Sequence, residues 1–214
     1  ENKPKEKIAY FSMEFGLYDN IKTYSGGLGI LAGDYLKEAS DSNKNLNGDG
    51  LLYRYGYFQQ SISLFGDQIA EYKRQKFSHL PLTRIINSNG ELMKISIAFP
   101  GRNLYAQVWE ANVGRIKLYM LDTDISENSP ADRPITHHLY GGDWENRFKQ
   151  ELLLGVGGIR LLKEIGIEAD VYHCNEGHAA FLSLERLRIL VQEHGLTFQE
   201  AMEVVRSSSL FTTH

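Results

Sequence analysis

The sequence predicts an α/β fold, a parallel-rich sheet carrying an antiparallel β insertion, and three observations predict it. An apolar run, Lys7 to Phe15, leads into the glycine turn Tyr24-Ser25-Gly26-Gly27-Leu28-Gly29 and then into a helical pattern. The second half alternates helix and strand, the rhythm of parallel strands with helices on the sheet faces. Between these halves, residues 82–121 read as an antiparallel meander.

In order along the chain, Lys7–Phe15 is a strand buried on both faces. Leu28, Leu31, Ala32, Tyr35, Leu36 and Ala39 follow the helical spacing of an amphipathic helix ending near Asp41. Asn43 to Gly50 is polar, with three Asn, two Gly and Asp49, and the aromatic and β-branched residues of Leu51–Leu64 suggest strands. Ser88-Asn89-Gly90 joins Leu82–Asn87 to Glu91–Phe99 as a hairpin in which Asn-Gly supplies two positive-φ positions. A second turn ending at Gly114 joins Leu104–Glu110 to Arg115–Leu121. A loop with His137-His138 precedes a helix from about Trp144 to Ile165, whose Gly155, Gly157 and Gly158 imply close backbone packing. Strand Ala169–His173, helices Ala179–Glu193 and Phe198–Arg206, and strand Ser209–Thr212 complete the pattern.

The 214 residues are 42% hydrophobic and 23% charged, an ordinary globular balance for one large or two small domains. A net charge of −4 without a basic block argues against nucleic-acid and membrane surfaces, and no apolar run reaches bilayer length. A lone Cys174 points to a reducing, cytoplasmic setting without a disulfide framework. The start, Glu1-Asn2-Lys3-Pro4-Lys5, lacks a signal peptide's apolar segment. With no initiator Met and an end at Thr213-His214 straight after a strand, the chain is expected to be part of a longer protein.

Ligands of open α/β sheets bind beyond the carboxyl ends of strands, and three segments fall there: Gly26–Gly29, Asn175–His178 and Thr213–His214. Without Cβ atoms, Gly26 and Gly27 can take positive φ and bring amides against an oxyanion, helped by the helix N-terminus. The turn is neither a dinucleotide fingerprint nor a Walker loop, and its bland reading is tight helix–sheet packing. Glu176 and His178 suit a polyhydroxy ligand, or simple helix capping with Asn175 as the N-cap. Zinc at His173, Cys174 and His178 is disfavoured because strand residues alternate faces. Asp143, at the start of a helix, has an ordinary structural reading, and His79, His137 and His138 read as exposed loop histidines.

With these residues in view, the sequence resembles the α-glucan (glycogen and maltodextrin) phosphorylases. The matching segments are Tyr10–Phe15, Tyr24–Gly29, Leu51–Gln60, Tyr140–Asp143, Arg147–Glu151, His173–Phe181 and Phe211–His214. They run from end to end in the family's order, although Gly-Gly-Leu-Gly is shared with glycogen synthases. The resemblance implies the N-terminal Rossmann-like domain of a GT-B glycosyltransferase, spanning 1–214 and carrying the β insertion. It implies transfer of a glucosyl unit from an α-1,4-glucan to phosphate, and pyridoxal phosphate bound to a lysine of a second domain that this chain does not include. Homo-oligomers are expected of the whole enzyme, and no turnover of this part alone. By the same resemblance Gly26 and Gly27 would touch the substrate phosphate, Leu28 the sugar, and catalytic His214 the ring hydroxyls. Asp143, Glu176 and His178 would line the glucan path, and no metal is implied. The competing readings are a synthase-type nucleotide-sugar transferase and a non-catalytic glucan-binding domain.

Overall fold

The computed structural model describes residues 6–214, and the polar start from Glu1 to Lys5 lies outside the described residues. Ten strands form: β1 (Ile8–Phe11), β2 (Leu46–Leu51), β3 (Gln59–Ile62), β4 (Gln68–Glu71), β5 (Thr83–Arg84), β6 (Lys94–Phe99), β7 (Arg102–Val113), β8 (Ile116–Asp122), β9 (Val171–Asn175) and β10 (Ser209–Thr212). The helices are α1 (Gly27–Asp41), α2 (Trp144–Leu152), α3 (Gly158–Glu164), α4 (Phe181–Gln192) and α5 (Phe198–Ser207).

The main sheet runs β10-β9-β1-β2-β8-β7-β5, with β6 on β7. From β10 to β8 every pairing is parallel, and from β8 onward every pairing is antiparallel. The chain builds outward from β1 through β2 to β8, then returns to place β9 on the other side of β1. That reversal opens a crevice between the loops leaving β1 and β9. The antiparallel strands are continuous with the main sheet, because β8 is bonded to both β2 and β7.

Side chains alternate across the sheet into two cores. Tyr10, Leu118 and Met120 face α1 with Ala32, Leu36 and Ala39, whereas Ala9, Phe11 and Leu121 face the helices after β8. Leu31, placed on the apolar stripe by spacing, is 46% exposed.

Most of the polar run after α1 forms a strand. Leu46–Leu51 (Leu-Asn-Gly-Asp-Gly-Leu) is a fully buried central strand. Its polar side chains partner each other, Asn47 Nδ2 donating to Asp49 Oδ2 at 2.7 Å. Its glycines let neighbours close in: a Cβ on Gly48 would meet Leu118 at 2.9 Å, and one on Gly50 would meet Phe15 at 2.8 Å. The expected helix at 144–165 is α2, a π turn over Leu153–Gly157, and α3. A Cβ on Gly155 would stand 2.6 Å from the Leu182 backbone nitrogen, so the glycine lets α4 lie against the π turn. In the Ser88-Asn89-Gly90 turn only Gly90 is left-handed (φ 81°), and Asn87 Oδ1 braces it by accepting from the Asn89 and Glu91 amides.

Candidate functional site

The glycine turn leaves β1 and starts α1 with Gly26 as N-cap. Gly26 is extended (φ −160°, ψ −157°) and Gly27 helical, so the positive φ expected of them does not occur. The chain turns earlier, where the Ile21 N–H donates to Tyr18 O, and Glu14 then ties the strand exit to Ser25 at the helix start, so the glycines themselves need make no turn. A Cβ on Gly26 or Gly27 would meet nothing within 4 Å. On Gly29 it would collide with Tyr24, and on Gly33 with the Gly16 backbone. The packing reading therefore belongs to Gly29 and Gly33, whereas Gly26 and Gly27 border open space. Because Gly26 has no side chain to cap the helix, the first amides of α1 are left to an outside acceptor.

Glu14, 2% exposed, holds this turn: its Oε1 accepts the Ser25 N–H at 3.0 Å and the Ser25 hydroxyl. Across the crevice, Asn175 ends β9. Its Nδ2 donates to Ser12 Oγ at 3.2 Å, and its Oδ1 lies 2.9 Å from His214 Nε2. Glu176 Oε1 accepts the His214 backbone N–H at 2.8 Å. Glu176 holds φ 63° and ψ −177°, a conformation nearly reserved for glycine, which stores roughly 1–3 kcal/mol of strain. Its own N–H donates to Thr212 O at 2.9 Å, so the β9–β10 ladder pins the backbone in that state.

A second group gathers at Tyr140. The His178 ring lies 5.5 Å from it, His178 Nδ1 is 3.4 Å from Glu151 Oε1, and the Arg147 guanidinium sits 5.6 Å from the Tyr140 ring centre. Burial, with the charges of Glu14, Glu176 and Glu151, pushes the Tyr140 phenol up, and Arg147 opposes them. Three carboxylates against one guanidinium make this an acidic crevice, suited to hydroxyl-rich or cationic groups.

The structure thus joins Glu176 to His214 directly and draws His178 into the same crevice through Tyr140. Asp143 lies apart from these contacts: exposed, it is the N-cap of α2, its carboxylate accepting the Asn146 N–H at 3.0 Å. Asn175 is no helix cap but a buried hub, 1% exposed. His137 and His138 are half-buried, not exposed: His138 stacks on Tyr55 at 5.0 Å, and burial lowers its pKa. His173 faces Tyr10 and Tyr35, while Cys174 lies in the opposite core, where burial raises its thiol to about 11.

No family model matches the chain. Over 215 aligned residues it is 46% identical to a maltodextrin phosphorylase of Thermococcus litoralis, covering 100% of this chain and 26% of that protein. It is 49% identical to a glycogen phosphorylase of Mycobacterium tuberculosis, over 97% of this chain and 25% of the relative. Over nearly its whole length the chain is thus homologous to a segment of proteins named maltodextrin or glycogen phosphorylase. A glycogen phosphorylase of Aquifex aeolicus matches at 39% identity over 100% of this chain and 31% of its own. The chain thus spans between a quarter and a third of the length of these relatives.

The sequence alone assigns no role to Ser12, Glu14, Glu151 or Tyr140. The signal for Ser12 and Glu14 was present: polar residues alternating with apolar ones at the exit of a buried strand. Tyr140, at φ 52°, had no such signal, because its role depends on a loop conformation.

Proposed function

We propose that this chain forms the sugar-facing half of an α-1,4-glucan phosphorylase cleft, in the Rossmann-like domain of a GT-B glycosyltransferase. A strand order that reverses beside β1 supports the Rossmann-like reading. The observation that carries the function is the contrast among the glycines. Gly29 and Gly33 are required by packing, whereas Gly26 and Gly27 border open space with helix amides behind them.

In the reaction, an oxygen of hydrogen phosphate bonds to the anomeric carbon of the terminal glucosyl unit while the bond to the glucan O4 breaks and O4 receives the proton that the phosphate gives up, yielding glucose 1-phosphate and a shortened glucan. The Gly26, Gly27 and Leu28 amides hold the phosphate, and the Leu28 side chain lies against the sugar. Preorganised amides stabilise the dianion without reorganising during the step. His214 holds ring hydroxyls, while Glu176, His178 and Asp143 face the glucan path. The carboxylates that surround Tyr140 favour the positive charge that develops on the sugar. They would also repel phosphate, so the anion's main cationic partners belong to a second domain closing over this one. Closure also excludes water, which competes with phosphate for the glucosyl cation.

Pyridoxal phosphate needs a lysine for its Schiff base. Among the described residues that build the crevice (Ser12, Glu14, Ser25, Tyr140, Arg147, Glu151, Asn175, Glu176, His178 and His214) there is none. The residues present do not fit the group, and no step here runs through it. This chain by itself is expected to show no turnover.

The test is to give the full-length protein carrying this chain maltodextrin and inorganic phosphate and follow phosphorus by NMR. Glucose 1-phosphate should appear. Transfer from a nucleotide sugar with none from phosphate would replace this reading with a synthase-type one.

A further inference from the structure

Resting on the reading of His214 as the sugar-hydroxyl ligand, we infer that Ser12 and Asn175 are positioning residues. Together they fix the His214 imidazole as the Nε2–H tautomer, leaving Nδ1 as a bare acceptor for a sugar hydroxyl.

Ser12 Oγ lies 2.9 Å from the Glu14 carbonyl oxygen, which can only accept, so the single hydroxyl proton of Ser12 points there. Ser12 Oγ is then an acceptor toward everything else, including the Glu14 N–H at 3.4 Å. The Asn175 group 3.2 Å away must therefore be its NH2, since an amide oxygen there would set lone pair against lone pair. This fixes the amide orientation, which distance alone leaves open. The Asn175 oxygen consequently faces β10, where the Thr212 hydroxyl lies at 3.3 Å and His214 Nε2 at 2.9 Å. An amide oxygen accepts only, so Nε2 carries the proton.

Neutral imidazole has one protonated nitrogen, and Nδ1 is left with its lone pair. The His214 backbone N–H is separately held by Glu176. The residue is thus clamped at two points, with the free nitrogen on neither. Ser12 and Asn175 are 0% and 1% exposed, so their end of the network is shielded from competing water, while His214 itself is exposed. A sugar hydroxyl can donate to Nδ1 while its oxygen accepts from elsewhere, a discrimination that the other tautomer would abolish.

The experiment is imidazole-labelled 15N NMR on the purified protein, with the His214 signals assigned by loss in His214→Gln. At a pH where the ring is neutral, Nε2 should report a protonated nitrogen and Nδ1 an unprotonated one. In Ser12→Ala, which frees the amide to rotate, the two signals should converge toward a tautomer mixture. Asn175→Ala should do the same and weaken glucose binding about tenfold, the effect of one misplaced hydrogen bond. An Nδ1–H tautomer in the unmodified protein would overturn the inference, as would tautomer populations that neither variant changes. Added glucose should shift the Nδ1 resonance. If the tautomer is as stated but glucose leaves Nδ1 unmoved, the reading of His214 as a sugar ligand fails and the proton network stands.

Discussion

At Glu176 the chain accepts backbone strain to place one carboxylate. Glycine occupies φ 63°, ψ −177° freely, so Glu176→Gly should raise stability by up to about 2 kcal/mol, less the flexibility glycine adds to the unfolded chain. Glucan binding should fall, because His214 loses its backbone anchor. Denaturant unfolding together with a maltooligosaccharide titration checks both, and a variant less stable than the parent would show that the conformation is not strained. Gly33 gives the opposite case. An added Cβ there meets the Gly16 backbone, which has no rotamer with which to yield, so Gly33→Ala should cost about 1–3 kcal/mol. The same unfolding measurement reads that loss. From sequence, Gly26, Gly27, Gly29 and Gly33 look alike, and only the space around each separates ligand-facing from packing glycines.

Among the elements, β2 shows most clearly where sequence reasoning stops. Its residues, Leu-Asn-Gly-Asp-Gly-Leu, carry almost no strand propensity, yet the strand is central and buried. Register decides it: Asp49 pairs with Phe11 on one side and Tyr119 on the other, a placement no local pattern reveals. Burial then raises the Asp49 carboxyl well above its ordinary value of 3.8, against the smaller lowering effect of Asn47. The folded state holds this proton more tightly than the unfolded chain. Stability from the group is therefore full below about pH 4 and falls as pH rises toward the folded value. Asp49→Asn should raise stability at neutral pH and flatten that decline, as read by unfolding midpoints across the pH range. A neutral-pH loss in the variant would mean that the carboxylate is ionised and partnered. The helices were easier to read, because α4, α5 and the α2–α3 segment carry their periodicity and stop signals within themselves. The π turn at Leu153–Gly157 was foreshadowed only by its glycines. Gly155→Ala should lower stability by pushing α4 away, observable as a reduced unfolding midpoint.

For the molecule as a whole, the α/β alternation, the antiparallel strands and the crevice between β1 and β9 were legible, since each rests on local pattern and one topological rule. The electrostatics of the crevice were not. Glu14, Glu176 and the α2 pair Arg147 and Glu151 come from three distant stretches of chain and meet around Tyr140. Their balance says that this half of the cleft favours sugar and positive charge, and that its contribution to phosphate binding rests on the amides at the start of α1. The cavity of about 550 Å³ lined by Ile159, Leu162, Tyr172 and Arg186 lies at the other end of the sheet, before the starts of β9 and β10. The most direct test is to make Gly26→Ala in the full-length protein and measure its unfolding midpoint and the KM for phosphate. An extended backbone facing open space accepts the methyl, so stability should hold while the KM for phosphate rises about tenfold or more. A lowered midpoint with an unchanged KM for phosphate would show that the glycine serves packing and that the anion binds elsewhere.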